Sequence, residues 1–148
     1  MKSVIGLIFL WLATSVVEAA DPAQQLVAAA TAGNERVVQD LLAQGVDANS
    51  KSASGRPAIV SAAFNGNLRT VRALLAGGGD PDASDAKGTT ALMAAAAFGH
   101  HRLVDLLING GANVNAKDAA GNTPLKLANR GKHAQVAARL QEAGATEE

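Results

Sequence analysis

The sequence predicts an all-α solenoid of four helix-turn-helix units with short β-turn or hairpin loops, following a cleaved signal peptide. The main observation is a repeat: of the 15 glycines, Gly6 lies in the leader, and ten of the other fourteen form three series with a step of 33 residues. A fixed step of this size indicates stacked supersecondary units that build an extended surface. The second observation is helical apolar spacing between these glycines, and the third is an apolar leader. The series are Gly33, Gly66 and Gly99; Gly45, Gly78, Gly111 and Gly144; and Gly55, Gly88 and Gly121.

Residues 1–19 are expected to form the signal peptide. Lys2 supplies a positive start, residues 4–17 are nearly all apolar, and Val17 and Ala19 are small residues at the positions that a signal peptidase recognises. Cleavage after Ala19 is therefore expected, with export to a bacterial periplasm. A transmembrane anchor is the alternative, but the apolar run is shorter than the roughly 20 residues that cross a bilayer.

The composition limits the classes of function. The chain has 13 basic and 13 acidic residues, so its net charge is zero. Balanced charge argues against nucleic acid and against a polybasic membrane contact. The chain has no cysteine, which excludes a disulfide framework. Residues 20–148 have the length of a single domain.

The third unit, residues 85–117, shows the pattern most clearly. The hydroxyl of Thr90 is suited to cap a first helix of small alanines, which Gly99 ends. A second helix follows and ends at Gly111. Residues 85–88 are expected to form the turn. The apolar stripe of the second helix consists of Leu103, Leu106 and Leu107.

The same frame predicts units at residues 20–51, 52–84 and 118–148. In the fourth unit Thr123 is suited to cap a helix, with Pro124 at the first helical position. Its second helix has Arg139 and Gln141 where the third unit has Leu106 and Ile108. A polar outer face is what a terminal, capping unit requires.

These motifs resemble the ankyrin repeat. Its pattern combines a turn containing Asp and Gly, a Thr-Pro-Leu-His helix start, paired alanines, a Gly-His helix end and a Gly-Ala-Asp-Val-Asn tail. The segments that match here are Thr123-Pro124-Leu125, Thr90-Ala91-Leu92, Gly99-His100 and residues 111–115, Gly-Ala-Asn-Val-Asn. The helix-start histidine is replaced by Val60, Met93 and Lys126.

The resemblance implies a non-enzymatic module that binds a partner protein through a concave face. Turn tips and the exposed side of the first helices form this face in the family. The positions that match it, and are expected to bind the partner, are Arg56, Phe64, Asn65, Lys87, Thr89, Phe98, Asn122 and Arg130.

Two features of that surface have alternative interpretations. Phe64 and Phe98 are the aromatic residues that remain after the leader, and they are either interface anchors or cover the seams between units. Lys51, Lys87 and Lys117 lie in or beside successive turns and, with Arg56, would suit an acidic partner. Alternatively, Asp85 and Asp118 cancel most of this charge.

Little in the sequence supports metal or catalytic chemistry. His100, His101 and His133 lack the spacing that places two imidazoles on one helical face, and His100 matches a structural histidine of the family. Residues 80–85 imitate a calcium loop poorly, because the distal bidentate carboxylate is missing. No nucleophile motif or phosphate-binding loop occurs. The prediction is therefore no metal, no cofactor and no enzymatic activity.

The expected function is that of a monomeric periplasmic protein-binding module, and the most concrete version is an inhibitor or immunity protein of an envelope enzyme. A first alternative is a helper that supports a periplasmic enzyme such as a catalase in oxidative defence, as exported ankyrin proteins have been linked to that role. A second alternative is an ion-responsive structural protein that uses residues 80–85.

Overall fold

The computed structural model describes residues 20–148, and the predicted signal peptide lies outside them. Within this range the chain forms eight helices and no strand. Isolated antiparallel bridges join Lys51 to Pro57 and Ser84 to Thr90 at the base of two turns. The predicted all-α solenoid is confirmed. The helices are α1 Pro22–Ala32, α2 Glu35–Ala43, α3 Ala58–Phe64, α4 Leu68–Ala76, α5 Ala91–Ala97, α6 His101–Asn109, α7 Pro124–Arg130 and α8 Ala134–Glu142.

The three glycine series have one conformational cause. The ten glycines in them are the ten described glycines with a positive φ, which ranges from 69° to 92°. Only glycine adopts this left-handed region without steric cost. The glycine that would continue the first series is replaced by Lys132, the one other described residue with positive φ, at 58°.

Side-chain caps fix several helix starts. The Oγ1 atoms of Thr90 and Thr123 accept hydrogen bonds from the backbone N–H three residues later, at 3.3 and 3.2 Å. Both predicted caps are therefore confirmed, and Pro124 lies at the first position of α7. In the first unit Asn34 caps α2 by accepting from Val37 N at 3.3 Å.

The core follows the length of the array. First helices contribute alanines with no exposed surface, which let neighbouring helices approach closely. Second helices contribute leucines at equivalent positions of each unit, and these leucines are buried. The alanines include Ala62, Ala63, Ala95 and Ala96, and the leucines are Leu41, Leu74, Leu107 and Leu140.

The fourth unit has a polar outer face. Val60 and Met93 are completely buried, whereas Lys126 at the equivalent position is exposed. Gln141 is exposed, and Arg139 Nε donates to Asp105 Oδ1 of the preceding unit at 2.7 Å. These positions are therefore polar in the fourth unit, as is typical of a capping unit.

One ladder of side chains joins successive units beside the first helices. Asn67 Nδ2 donates to the carbonyl oxygens of Ala30 and Thr31 at 3.1 Å. His100 Nε2 lies 3.3 Å from the carbonyl oxygen of Phe64, and His133 Nε2 lies 3.0 Å from that of Ala97. Because a carbonyl oxygen can only accept, Nε2 carries the proton in both imidazoles. The structural role expected for His100 is confirmed.

A second ladder joins the tails of the units. The side-chain oxygens of Asn49, Asp82 and Asn115 each accept a backbone N–H from the following unit, at 2.7, 2.7 and 2.8 Å. These three residues are again 33 apart. The tail of each unit is thus attached directly to the next one.

Candidate protein-binding site

Four side chains form a continuous row on the face shared by the turn tips and the first helices. The guanidinium carbon of Arg56 lies 4.9 Å from the ring centroid of Phe64. The rings of Phe64 and Phe98 meet edge to face, with centroids 5.9 Å apart and planes at 70°. Phe98 stacks on His100, at 6.2 Å and 23°. We call this row, Arg56, Phe64, Phe98 and His100, the aromatic ridge.

The two phenylalanines differ in burial. Phe64 is half-buried and packs against the hydrophobic core, so it covers part of the seam beneath it. Phe98 is 57% exposed although it contacts rings on both sides. Of the described residues, only Val37 is also a large apolar residue classed as exposed. Seam packing therefore accounts for Phe64 but leaves most of the Phe98 ring in solvent.

The carboxylates of the turn tips point into their own turns. Asp85 Oδ1 accepts from the backbone N–H groups of Lys87 and Thr89, at 3.0 and 2.9 Å. Asp118 Oδ1 accepts from those of Ala120 and Asn122, at 2.9 and 2.8 Å. Both carboxylates thus stabilise the loops in which they lie.

The protonation of Asp118 reflects this arrangement. Partial burial raises its pKa, but hydrogen bonds from the Asn122 side chain and backbone and from the Ala120 backbone lower it, and so does the charge of Arg130. The lowering causes win, so the pKa of Asp118 lies below its ordinary value. Asp118 is therefore ionised at neutral pH, and its carboxylate holds the turn together through these hydrogen bonds.

The other predicted site residues are not part of the aromatic ridge. Asn65 Nδ2 donates to the carbonyl oxygen of Thr31 at 3.1 Å, which ties α3 to the first unit. Arg130 donates to Asn122 Oδ1 at 2.9 Å, a separate contact in the fourth unit. Thr89 is half-buried in the turn, while Lys87 is exposed at the tip.

Sequence reasoning missed two residues that shape this surface. His100 was predicted to be structural, and it also supports the Phe98 ring. Asp85 lies beside the ridge, with its Oδ2 3.8 Å from Arg56 Nε. The step of 33 residues places His100 in the same series as Asn67 and His133, but it gives no sign that an aromatic ring would lie on the imidazole.

An open depression lies beside the ridge, between the turn tips of the second and third units. Its lining contains two cations and one carboxylate. Residues 20–148 hold no group of three or more His, Cys, Asp or Glu side chains arranged to bind a metal ion. The residues that line the depression are Ser54, Arg56, Asp85, Ala86 and Lys87.

Among residues 20–148, none of the helices has the length and apolar character needed to cross a membrane.

Stacked helix pairs that present a continuous row of side chains along one face define a repeat-type interaction domain. A family model described as ankyrin repeats, in three copies, matches residues 26–118 and 59–147. The chain therefore belongs to the ankyrin repeat family, whose members are in general non-enzymatic modules for protein–protein interaction. No curated protein matches the chain in sequence.

Proposed function

We propose that this protein is exported and captures one partner protein through the aromatic ridge. The observation that carries the proposal is Phe98, which is 57% exposed and held between Phe64 and His100. A ring fixed in this way loses little conformational entropy on binding, and aromatic residues beside arginine are enriched among interface hot spots.

The proposed location rests on the leader. A positive start, an apolar run and the small residues Val17 and Ala19 are typical of a cleaved signal peptide. Expression in a bacterial host followed by mass spectrometry of the periplasmic fraction tests this. We expect a mature chain beginning at Ala20. A full-length chain found in the membrane fraction would overturn the proposed export in favour of an anchor.

The proposed role is inhibition of an envelope enzyme. A small exported binding surface suits stoichiometric capture of one target. The helper alternative predicts the opposite effect on the partner's activity, so one assay separates the two. The ion-responsive alternative would use residues that also have structural roles, because Asp82 Oδ1 accepts from Asn113 N and Asp85 Oδ1 accepts from Lys87 N.

The first experiment compares capture from periplasmic extract by the wild type and by Phe98→Ala. We expect one protein to be retained by the wild type and its affinity to fall about thirtyfold or more in the variant, as for an interface hot spot. Phe98 is the better choice for this variant because Phe64 also packs against the core.

The matched control is Val37→Ala, which removes another exposed apolar side chain away from the ridge. Both variants are first compared with the wild type by thermal melting. Equal capture by all three proteins would show that the ridge is not the binding site. Activity of the captured protein with and without this chain then decides between inhibitor and helper.

A further inference from the structure

The turn tips present an outward surface that is mainly cationic. Lys51, Lys87 and Lys117 are exposed, as are Arg56 and Arg130. The acidic residues of the same turns, Asp85 and Asp118, are half-buried and bonded to their own loops. Their charges reduce the local field, but one oxygen of each carboxylate is bonded to the backbone of its own loop. A partner approaching the tips therefore meets ammonium and guanidinium groups first.

Arg56 has donors available for a ligand. Its side chain is 47% exposed, and its guanidinium donates no hydrogen bond to any other residue of the described range 20–148. The 3.8 Å between its Nε and Asp85 Oδ2 exceeds the 2.7–3.2 Å of a hydrogen bond. The side chain of Asp85 is held in its turn by two backbone hydrogen bonds and is only 9% exposed. Arg56 is thus positioned by the Phe64 ring and can still form a bidentate pair with a carboxylate.

The cations Arg56 and Lys87 lie close to the exposed ring of Phe98. Arg56 and Lys87 both line the open depression, so a carboxylate bound there would lie beside both cations. From the Arg56 guanidinium to the Phe98 centroid, by way of Phe64, is at most about 11 Å. An extended chain rises about 3.3 Å per residue and places residues i and i+2 on the same side. Residues two positions apart on such a segment are about 6.6 Å apart and residues three positions apart about 10 Å, and both separations lie within this upper limit.

We infer that the aromatic ridge binds an extended segment of its partner in which an acidic residue is separated from a large apolar residue by one or two positions. The acidic side chain binds between Arg56 and Lys87, and the apolar side chain packs on Phe98. This inference rests on the proposed function and adds the chemistry of the partner to it.

The test is a selection of a random peptide library on the protein expressed from its full coding sequence. Parallel selections use Arg56→Glu/Lys87→Glu, Phe98→Ala and the control Arg36→Glu, which changes an exposed arginine on α2 instead. Thermal melting verifies that each variant is folded. For the wild type and the control we expect enriched peptides with Asp or Glu two or three positions from an aromatic or aliphatic residue.

The charge-reversed variant is expected to lose this acidic preference and to bind the selected peptides at least about tenfold more weakly, because a carboxylate would then meet two carboxylates. Enrichment that requires Phe98 without any acidic preference would overturn the inference and leave the proposed function standing. Peptides that bind all variants equally would overturn both. Failure to enrich any peptide on the wild type would also overturn the inference.

Discussion

Equivalent positions in the interior units and in the end units of this solenoid carry side chains of different polarity and make different contacts. Val60 and Met93 are buried in the second and third units, whereas Lys126 is exposed in the fourth. Asn67 reaches back to the first unit, whereas Asn34 of the first unit caps its own helix. The backbone conformation depends on the position within the unit. The polarity of the side chain depends on whether another unit packs against it.

The largest expected change in stability comes from exchanging the apolar residue of an interior unit and the charged residue of the last unit at equivalent positions. Met93→Lys would place a charge in a fully buried seam, so the free energy of unfolding should fall by about 3 kcal/mol or more. Lys126→Met, at the equivalent exposed position, should change it by no more than about 0.5 kcal/mol. Urea titration followed by circular dichroism measures both values. Similar losses in the two variants would contradict the comparison.

A smaller effect concerns the first glycine series. Gly99 has φ 72°, and an added Cβ would lie 2.5 Å from His133 Nδ1. Gly99→Ala should therefore destabilise the fold by about 2 kcal/mol, through backbone strain and displacement of His133 from Ala97. Lys132→Gly relieves the same strain at the end of the series and should stabilise by about 1 kcal/mol. Thermal melting of both variants compares them, and a shift in the same direction would refute the prediction.

The next prediction concerns a buried hydroxyl. Thr70 is 1% exposed, and its Oγ1 has no hydrogen-bond partner among the described residues. The equivalent positions are Val37, Leu103 and Val136, all apolar. Thr70→Val should stabilise the protein by about 1 kcal/mol, since it removes an unsatisfied polar group at nearly constant volume. Thr70→Ser keeps the hydroxyl and should destabilise the protein. If chemical denaturation shows that the serine variant is more stable than the valine variant, this explanation is wrong.

The smallest effect depends on pH. Because the folded-state pKa of Asp118 is below its ordinary value of 3.8, its ionised form contributes stability that is present above pH 3.8 and is lost as pH falls through the folded-state pKa. Asp118→Asn should therefore be less stable than the wild type at pH 7, and the difference should shrink below pH 3.8. Melting temperatures measured across this range test the sign. A difference that grows in acid would show that the carboxylate is not what stabilises the turn.

The candidate site was only partly predictable from the sequence. The repeat frame placed Arg56, Phe64 and Phe98 near one another because equivalent positions of successive units are neighbours. It could not separate a half-buried Phe64 from an exposed Phe98, since their exposure depends on the side chains of the adjacent units. The sequence also could not show that Asn65 and Asn122, which the resemblance places on the binding face, form hydrogen bonds within the fold.

The sequence by itself determined those helix starts and turns that carry a local signal. Positive φ, a threonine cap and a proline at the first helical position are constraints on single residues or short segments, so they can be recognised without a structure. Only the tertiary structure decided which side chains meet across the seams. His100 approaches Phe64 O across 36 residues, and Arg56 lies on a ring while leaving its donors available. Such contacts depend on how the units stack, and stacking geometry is a collective property of the array.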